Sequence, residues 1–238
     1  MPSALVTGAD RGLGLSLCKQ FLDRGWVVFA GKYLEDYTLL ENVRESNLHI
    51  LKLDMGCPHS IAAAKDEVCK ITDSLDMFIS NAALMGPVQC NLYEPPMNLE
   101  AAWDAFRVNA LGPVHLVEAL LPLLKKSAMK RLCFVSSEVA CITLMKHRDD
   151  STYPYPMSKA SLNMGVRLLH NQLYPQGYTF RLFHPGWMKR RMPDGTLSEM
   201  ALYDPDYIGD IAAKYFEKPL RDEHRLVMID YDGYEWPY

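Results

Sequence analysis

Thr7-Gly8-Ala9-Asp10-Arg11-Gly12-Leu13-Gly14 follows the apolar run Ala4-Leu5-Val6 and leads into Leu15-x-x-Cys18-x-x-Phe21-Leu22. A short apolar run, a glycine-rich turn and a helix-period pattern together read as a strand-to-helix junction. Glycines permit positive φ and close backbone approach to an anion, while the N–H groups and dipole of the following helix face it. The spacing is G-x-x-x-G-x-G rather than G-x-G-x-x-G, so the turn alone is compatible with a purely structural role as well as with a dinucleotide diphosphate. No G-K-[ST] follows, which argues against a P-loop nucleotidase.

The same alternation continues along the chain. Residues 4–7, 27–31, 49–53, 76–80, 131–136, 178–184 and 225–230 are predicted strands, and between them lie amphipathic stretches, including 61–71, 101–124, 158–173 and 208–216. Strand–helix alternation of this kind predicts right-handed βαβ units, hence a parallel sheet covered on both faces. Without a repeat or a linker-like tract, residues 1–238 read as one domain. Two long loops, 138–152 and 187–204, would leave the carboxyl ends of strands, where open α/β sheets bind ligands.

Composition narrows the function classes. Lys and Arg number 25 against 29 Asp and Glu, a formal charge of −4, so there is no basic footprint for nucleic acid or an anionic membrane. No apolar run approaches the roughly 20 residues of a membrane span, and the opening Pro2-Ser3-Ala4-Leu5-Val6 does not read as a leader. The six cysteines form no C-x-x-C pair and the seven histidines no H-E-x-x-H, so no metal site is expected and the thiols read as reduced. A cytoplasmic protein is the expectation.

The second predicted strand ends Ala30-Gly31-Lys32. An acidic residue there would bond the ribose hydroxyls of NADH; a lysine, with Arg11 in the turn, favours NADPH over NADH. Glu35-Asp36 would reverse that preference if folded back onto the ribose. Further on, Tyr155 and Lys159 stand at i, i+4, on one face of a helix. An ammonium at about 4 Å and an effective dielectric of about 20 would stabilise the phenolate by roughly 4 kcal/mol, or about three pKa units.

Several motifs now stand in one order: the turn at 7–14, Leu53-Asp54, Ser80-Asn81-Ala82-Ala83, Val108-Asn109-Ala110-Leu111-Gly112, Ser136-Ser137, Tyr155 with Lys159, and Pro185-Gly186. Over nearly its full length the chain resembles the short-chain dehydrogenase/reductase family, most closely the branch of sniffer-type carbonyl reductases and C-factor-like proteins. The resemblance implies a three-layer, doubly wound Rossmann-type fold with a mostly parallel sheet of about seven strands. It implies Tyr155 as general acid, Lys159 as the residue that lowers its pKa and holds the ribose, Ser137 on the substrate oxygen and Asn109 as holder of a relay water. Ser136 is the alternative serine, and the second of such a pair usually carries the role in the family. The cofactor set it implies is Gly8, Asp10, Arg11, Gly12, Leu13, Gly14, Lys32, Asp54, Met55, Asn81, Ala82, Ala83, Tyr155, Lys159, Pro185, Gly186 and Met188. Departures are Ala83 in place of a glycine, an insertion at 146–151, and Trp187-Met188-Lys189-Arg190 where the family often carries a threonine that bonds the carboxamide.

Leu84, Met85, Tyr93, Ile142, Met145, Trp187, Met188 and Met192 are candidates for an apolar pocket suited to a carbonyl compound or its alcohol. Lys189-Arg190-Arg191 is a solvated run or a holder of a carboxylate or phosphate. The aromatic tail 231–238 is expected to pack on a neighbour or close the pocket rim. The resemblance also implies a homodimer or homotetramer through 101–124 and 158–173, whose Leu116, Leu120, Leu124, Leu162, Val166 and Leu169 make a broad apolar face. The reading from another class is an NADP(H)-sensing protein with little turnover.

Overall fold

The computed structural model describes residues 1–86, 97–146 and 152–238. Strands β1 (Ser3–Thr7), β2 (Val27–Lys32), β3 (Leu48–Lys52), β4 (Met77–Ser80), β5 (Arg131–Val135), β6 (Thr179–His184), β7 (Met228–Asp230) and β8 (Glu235–Trp236) form one sheet in the order β3-β2-β1-β4-β5-β6-β7-β8. All pairs are parallel except β7–β8. The order reverses between β1 and β4, so a crevice opens at the carboxyl ends of those two strands.

The helices are α1 (Gly12–Asp23), α2 (Pro58–Ile71), α3 (Leu99–Phe106), α4 (Gly112–Leu124), α5 (Pro154–Leu173) and α6 (Pro205–Glu217). They cover both faces. Leu5, Phe29, Phe78 and Phe134 point to one side and bury against Ile61 and Val68 of α2, Leu116 and Leu120 of α4 and Leu162 and Val166 of α5. Ala4, Val6, Val28 and Ile79 point to the other, against Leu15, Leu17 and Phe21 of α1 and Ile208 and Phe216 of α6. Period-two strands between period-3.6 helices give the three layers that the sequence pattern predicts.

Three corrections follow. The sheet has eight strands rather than seven: the tail turns back at Gly233 (φ 83°) and pairs with β7. Trp236 Nε1 donates to Asp230 Oδ2 at 2.9 Å, so the aromatic tail is held by its own sheet edge. The predicted strand 225–230 keeps only its last three residues, because the Leu226 carbonyl accepts from the Tyr238 hydroxyl (2.7 Å) instead of entering the ladder. Finally, 101–124 is not one helix. Residues Arg107–Leu111 form a π turn between α3 and α4, in which the Gly112 N–H donates to the Arg107 carbonyl. Pro113 has no N–H for the Asn109 carbonyl at i−4 and crowds it, and the wider turn relieves both. A Cβ on Gly112 would lie 2.4 Å from the Met55 carbonyl oxygen, so this turn can press onto the β3–α2 loop only with glycine there.

Candidate active site

The glycine turn takes its shape from two left-handed residues, Gly8 (φ 63°) and Gly12 (φ 55°). It is folded tightly on itself and on the end of β4. A Cβ on Gly14 would sit 2.0 Å from the Gly8 carbonyl oxygen, and one on Gly8 would sit 2.8 Å from Ala82 Cα. Thr7 Oγ1 accepts from the backbone N–H groups of Asn81 (3.0 Å) and Ala82 (2.9 Å), while Asn81 Nδ2 donates to the carbonyls of Thr7 (2.9 Å) and Gly8 (3.1 Å). Asn81 therefore staples the first crossover to the fourth strand. Over Gly12 the situation is opposite: a Cβ there would meet no atom within 4 Å. That opening leads into a cavity of about 560 Å³, within the usual range for a small-molecule site.

Of the candidate cofactor residues, Gly8, Asp10, Arg11, Gly12, Leu13, Asp54, Met55, Asn81, Ala82, Ala83 and Met188 line this cavity; Gly14, Lys32, Tyr155, Lys159, Pro185 and Gly186 do not. Gly14 lies beneath the turn, and Gly186 packs on Tyr231, whose ring carbon would be 2.6 Å from an added Cβ. Lys32 is turned away and ion-paired with Glu41. Its place at the tip is taken by Tyr33 and Leu34, which the sequence reading missed. The Asp10 carboxylate accepts from both their N–H groups, at 2.7 and 2.5 Å, so the acidic residue of the turn pins the β2 exit. Arg11 lies over the Tyr37 ring, 5.0 Å from its centroid, and donates to the Tyr37 hydroxyl at 3.1 Å. Glu35 is paired with Lys52 rather than folded onto the turn. The loop 187–204 is not free either: Met188 bridges Tyr203 and Arg191 bridges Leu197, and Lys189, Arg190 and Arg191 all line the cavity.

Beyond the cavity, at the ends of β4 and β5, stand the other candidates. Asn109 is fully buried in the π turn, its Oδ1 accepting from the Leu84 N–H (2.7 Å) and its Nδ2 donating to the Leu84 carbonyl (2.7 Å) and Ser158 Oγ (2.9 Å). Ser137 hydrogen-bonds the Tyr155 phenol. Ser136 instead donates to Asn163 Oδ1 at 2.6 Å, away from that phenol. Lys159 is buried, donates to the Val135 carbonyl at 2.9 Å and lies 5.9 Å from the Tyr155 ring centroid.

The electrostatics depart from the sequence expectation. Burial pushes the Tyr155 phenol up to about 12, only partly offset by the Ser137 hydrogen bond. Burial also pushes the Lys159 ammonium down to about 8. The expected lowering of the tyrosine by the lysine is absent, because desolvation acts on both groups and the ammonium is spent on a backbone carbonyl. A phenol that keeps its proton is a donor at rest.

Of the residues expected around a substrate, Leu84 and Met188 line the cavity. Met85, Ile142, Met145, Trp187 and Met192 are exposed and do not line it, and Tyr93 lies outside the described residues, as do 147–151 of the insertion.

The family profile described as short chain dehydrogenase matches residues 2–200. C-signal of Myxococcus xanthus is 34% identical over 70% of this chain and 95% of its own length. Among solved structures, an NADPH-bound carbonyl reductase from chicken fatty liver superposes with a TM-score of 0.85 at 25% identity, covering 100% of this chain and 99% of that one. Carbonyl reductase Sniffer of D. melanogaster does so with a TM-score of 0.83 at 26% identity, covering 100% of both. With the Rossmann-type sheet and the ordered motifs, these matches place the chain: it belongs to the short-chain dehydrogenase/reductase family and is an NAD(P)H-dependent oxidoreductase of it.

Proposed function

We propose that this protein is an NADPH-dependent carbonyl reductase acting on an apolar aldehyde or ketone, or oxidising the matching alcohol, as one cytoplasmic domain over residues 1–238. The observation that carries the reading is the pairing of Tyr155, protonated and bonded to Ser137, with a buried Lys159, in a fold whose glycine turn opens into a cavity. The open space over Gly12 fits a diphosphate, and Asp54, Met55 and Val108, which line the same cavity, would hold the base. The dinucleotide, when bound, supplies the hydride. Tyr155 gives its proton to the substrate oxygen, which Ser137 also holds. Lys159 would turn from Val135 to the ribose and to the tyrosinate left after transfer. The Asn109 side chain is committed to Leu84 and Ser158, so its backbone carbonyl, without a Pro113 N–H, is the acceptor for a relay water.

Support for an apolar substrate comes from the exposed Met85 and Trp187, each next in sequence to a cavity-lining residue, Leu84 and Met188. No helix among the described residues is long and apolar enough to cross a membrane. The proposed partner is a second copy of the chain, but not through the face expected: Leu116, Leu120, Leu124, Leu162 and Val166 are spent on the sheet. The apolar side chains left outside are Leu99 and Trp103 of α3, Leu111, and Met164 and Leu168 of α5, each at least 60% exposed.

NADPH consumption on aromatic aldehydes, diketones and quinones tests the function, with Tyr155→Phe as control. Turnover should fall by at least about three orders of magnitude in the variant while NADPH affinity holds. Tight NADPH binding without turnover of any compound would instead make the chain an NADP(H)-sensing protein.

A further inference from the structure

Five cations line the cavity, and they differ in what already neutralises them. Arg107 pairs with Asp104 at 2.9 Å, and Arg191 with Asp206 at 2.7 Å. Arg11 rests on the neutral Tyr37. Lys189 and Arg190 have no side-chain hydrogen bond or ion pair among the described residues, although Lys189 is half-buried. The carboxylates on the same wall are engaged: Asp10 accepts from two backbone N–H groups and Asp54 from that of Gly56 at 2.8 Å. In a chain of net charge −4, two cations without a carboxylate partner among the described residues, lining one cavity with Gly8 and Gly12, are a local excess that an anion would relieve.

Their backbone is fixed. The Lys189 N–H donates to the Tyr203 carbonyl (2.8 Å) and the Arg190 N–H to Ser198 Oγ (2.8 Å), while the Ser198 N–H returns to the Arg190 carbonyl (2.9 Å). The Met192 N–H donates to the Thr196 carbonyl at 2.8 Å, closing the hairpin. The Arg191 pair with Asp206 ties it to the start of α6, and its tip reaches the β2–β3 loop, where a Cβ on Gly195 would lie 3.6 Å from Leu39 Cδ2. The cations are thus carried on a braced strap that lines the same cavity as Gly12 and Leu13.

Resting on the NADPH reading above, we propose that Lys189 and Arg190 form an electrostatic clamp on the dinucleotide diphosphate. The clamp predicts a binding energy carried by the phosphates, indifferent to the nicotinamide and sensitive to salt.

Calorimetric Kd values for NADP, NAD and 2′-phospho-ADP-ribose, measured at about 0.05 and 0.5 M salt, test this on wild type and on Lys189→Gln/Arg190→Gln. The double variant should weaken all three ligands by a common factor of about 10 to 100 and flatten the salt dependence. Lys189→Arg should restore most of the Lys189 share. Loss confined to the two 2′-phosphorylated ligands would overturn the proposal, since the cations would then serve the adenine ribose. Unchanged Kd values for all three would overturn it as well, leaving a solvated strap. Wild type that binds none of them would refute the NADPH reading itself, and the clamp with it.

Discussion

Lys159 supplies a test that needs no substrate. Its ammonium is 2% exposed, and burial lowers its pKa from 10.5 to about 8. The unfolded chain therefore binds the extra proton between those values, and stability must rise with pH across the window. The full difference of 2.5 units is worth about 3 kcal/mol, of which about 2 kcal/mol falls between pH 7 and 9.5. Cys18 and Cys133 oppose this, because burial raises both thiols and the unfolded chain gains thiolate as pH rises. Wild-type stability alone thus mixes opposite slopes. Lys159→Met removes one and keeps the others, with similar volume. Urea titrations of both proteins at several pH values should give a gap that moves in favour of wild type by about 2 kcal/mol from pH 7 to 9.5. At neutral pH the methionine variant should match or exceed wild type, because an uncompensated buried charge has gone. A gap that stays flat with pH would mean that Lys159 is solvated in solution and that the electrostatics described for Tyr155 are wrong too.

The remaining expectations concern the cofactor tip, the π turn and the partner surface. Arg11→Ala should cost NADPH about 10- to 100-fold in kcat/KM with NADH little changed, whereas Lys32→Ala, already paired with Glu41, should leave the NADPH-to-NADH ratio within about twofold; equal losses from both would refute the geometry of the tip. Gly112→Ala should destabilise by about 1–3 kcal/mol in denaturant titration and weaken NADP binding through Met55, a cavity wall; a neutral result would show that the turn is not pressed on that loop. Light scattering at micromolar protein should give a dimer that Trp103→Glu/Leu168→Glu converts to monomer; a wild-type monomer would rule the face out.

What was legible in the sequence was whatever local pattern determines. Alternation of short apolar runs with helical period gave every parallel strand to within a few residues, and the motifs lie in contiguous stretches whose order survives without tertiary detail. What was not legible depended on where side chains turn. Lys32 sits at the expected place, but Glu41, nine residues on, claims it. Tyr155 and Lys159 have the expected spacing, yet burial, a property of the whole fold, overrides their mutual Coulomb term. The second strand of the tail hairpin is two residues long, too short for any periodicity to register. The π turn did leave a signal, Gly112-Pro113 inside a helix-period stretch, and it lies three residues from Asn109.

Stability and chemistry are placed at opposite ends of the strands. At the amino ends Asp76 accepts from the Ser3 N–H (2.8 Å) and Ser127 Oγ (2.6 Å), and Arg131 donates to Thr179 Oγ1 (2.8 Å) and the Phe216 carbonyl (2.6 Å). At the carboxyl ends several irregular features stand together. Gly8 and Gly12 are left-handed, the helix widens at Asn109, Lys159 is buried with a single carbonyl for company, and Asn163 Nδ2 is buried without a partner among the described residues. The buried ammonium and the unpartnered amide cost free energy in the absence of a ligand. Their place at the same strand ends as the glycine turn, rather than any one motif, is what a site made to complete itself on a bound dinucleotide and substrate requires. A merely structural glycine turn would have no reason to share the carboxyl ends of the strands with a desolvated lysine and a protonated phenol.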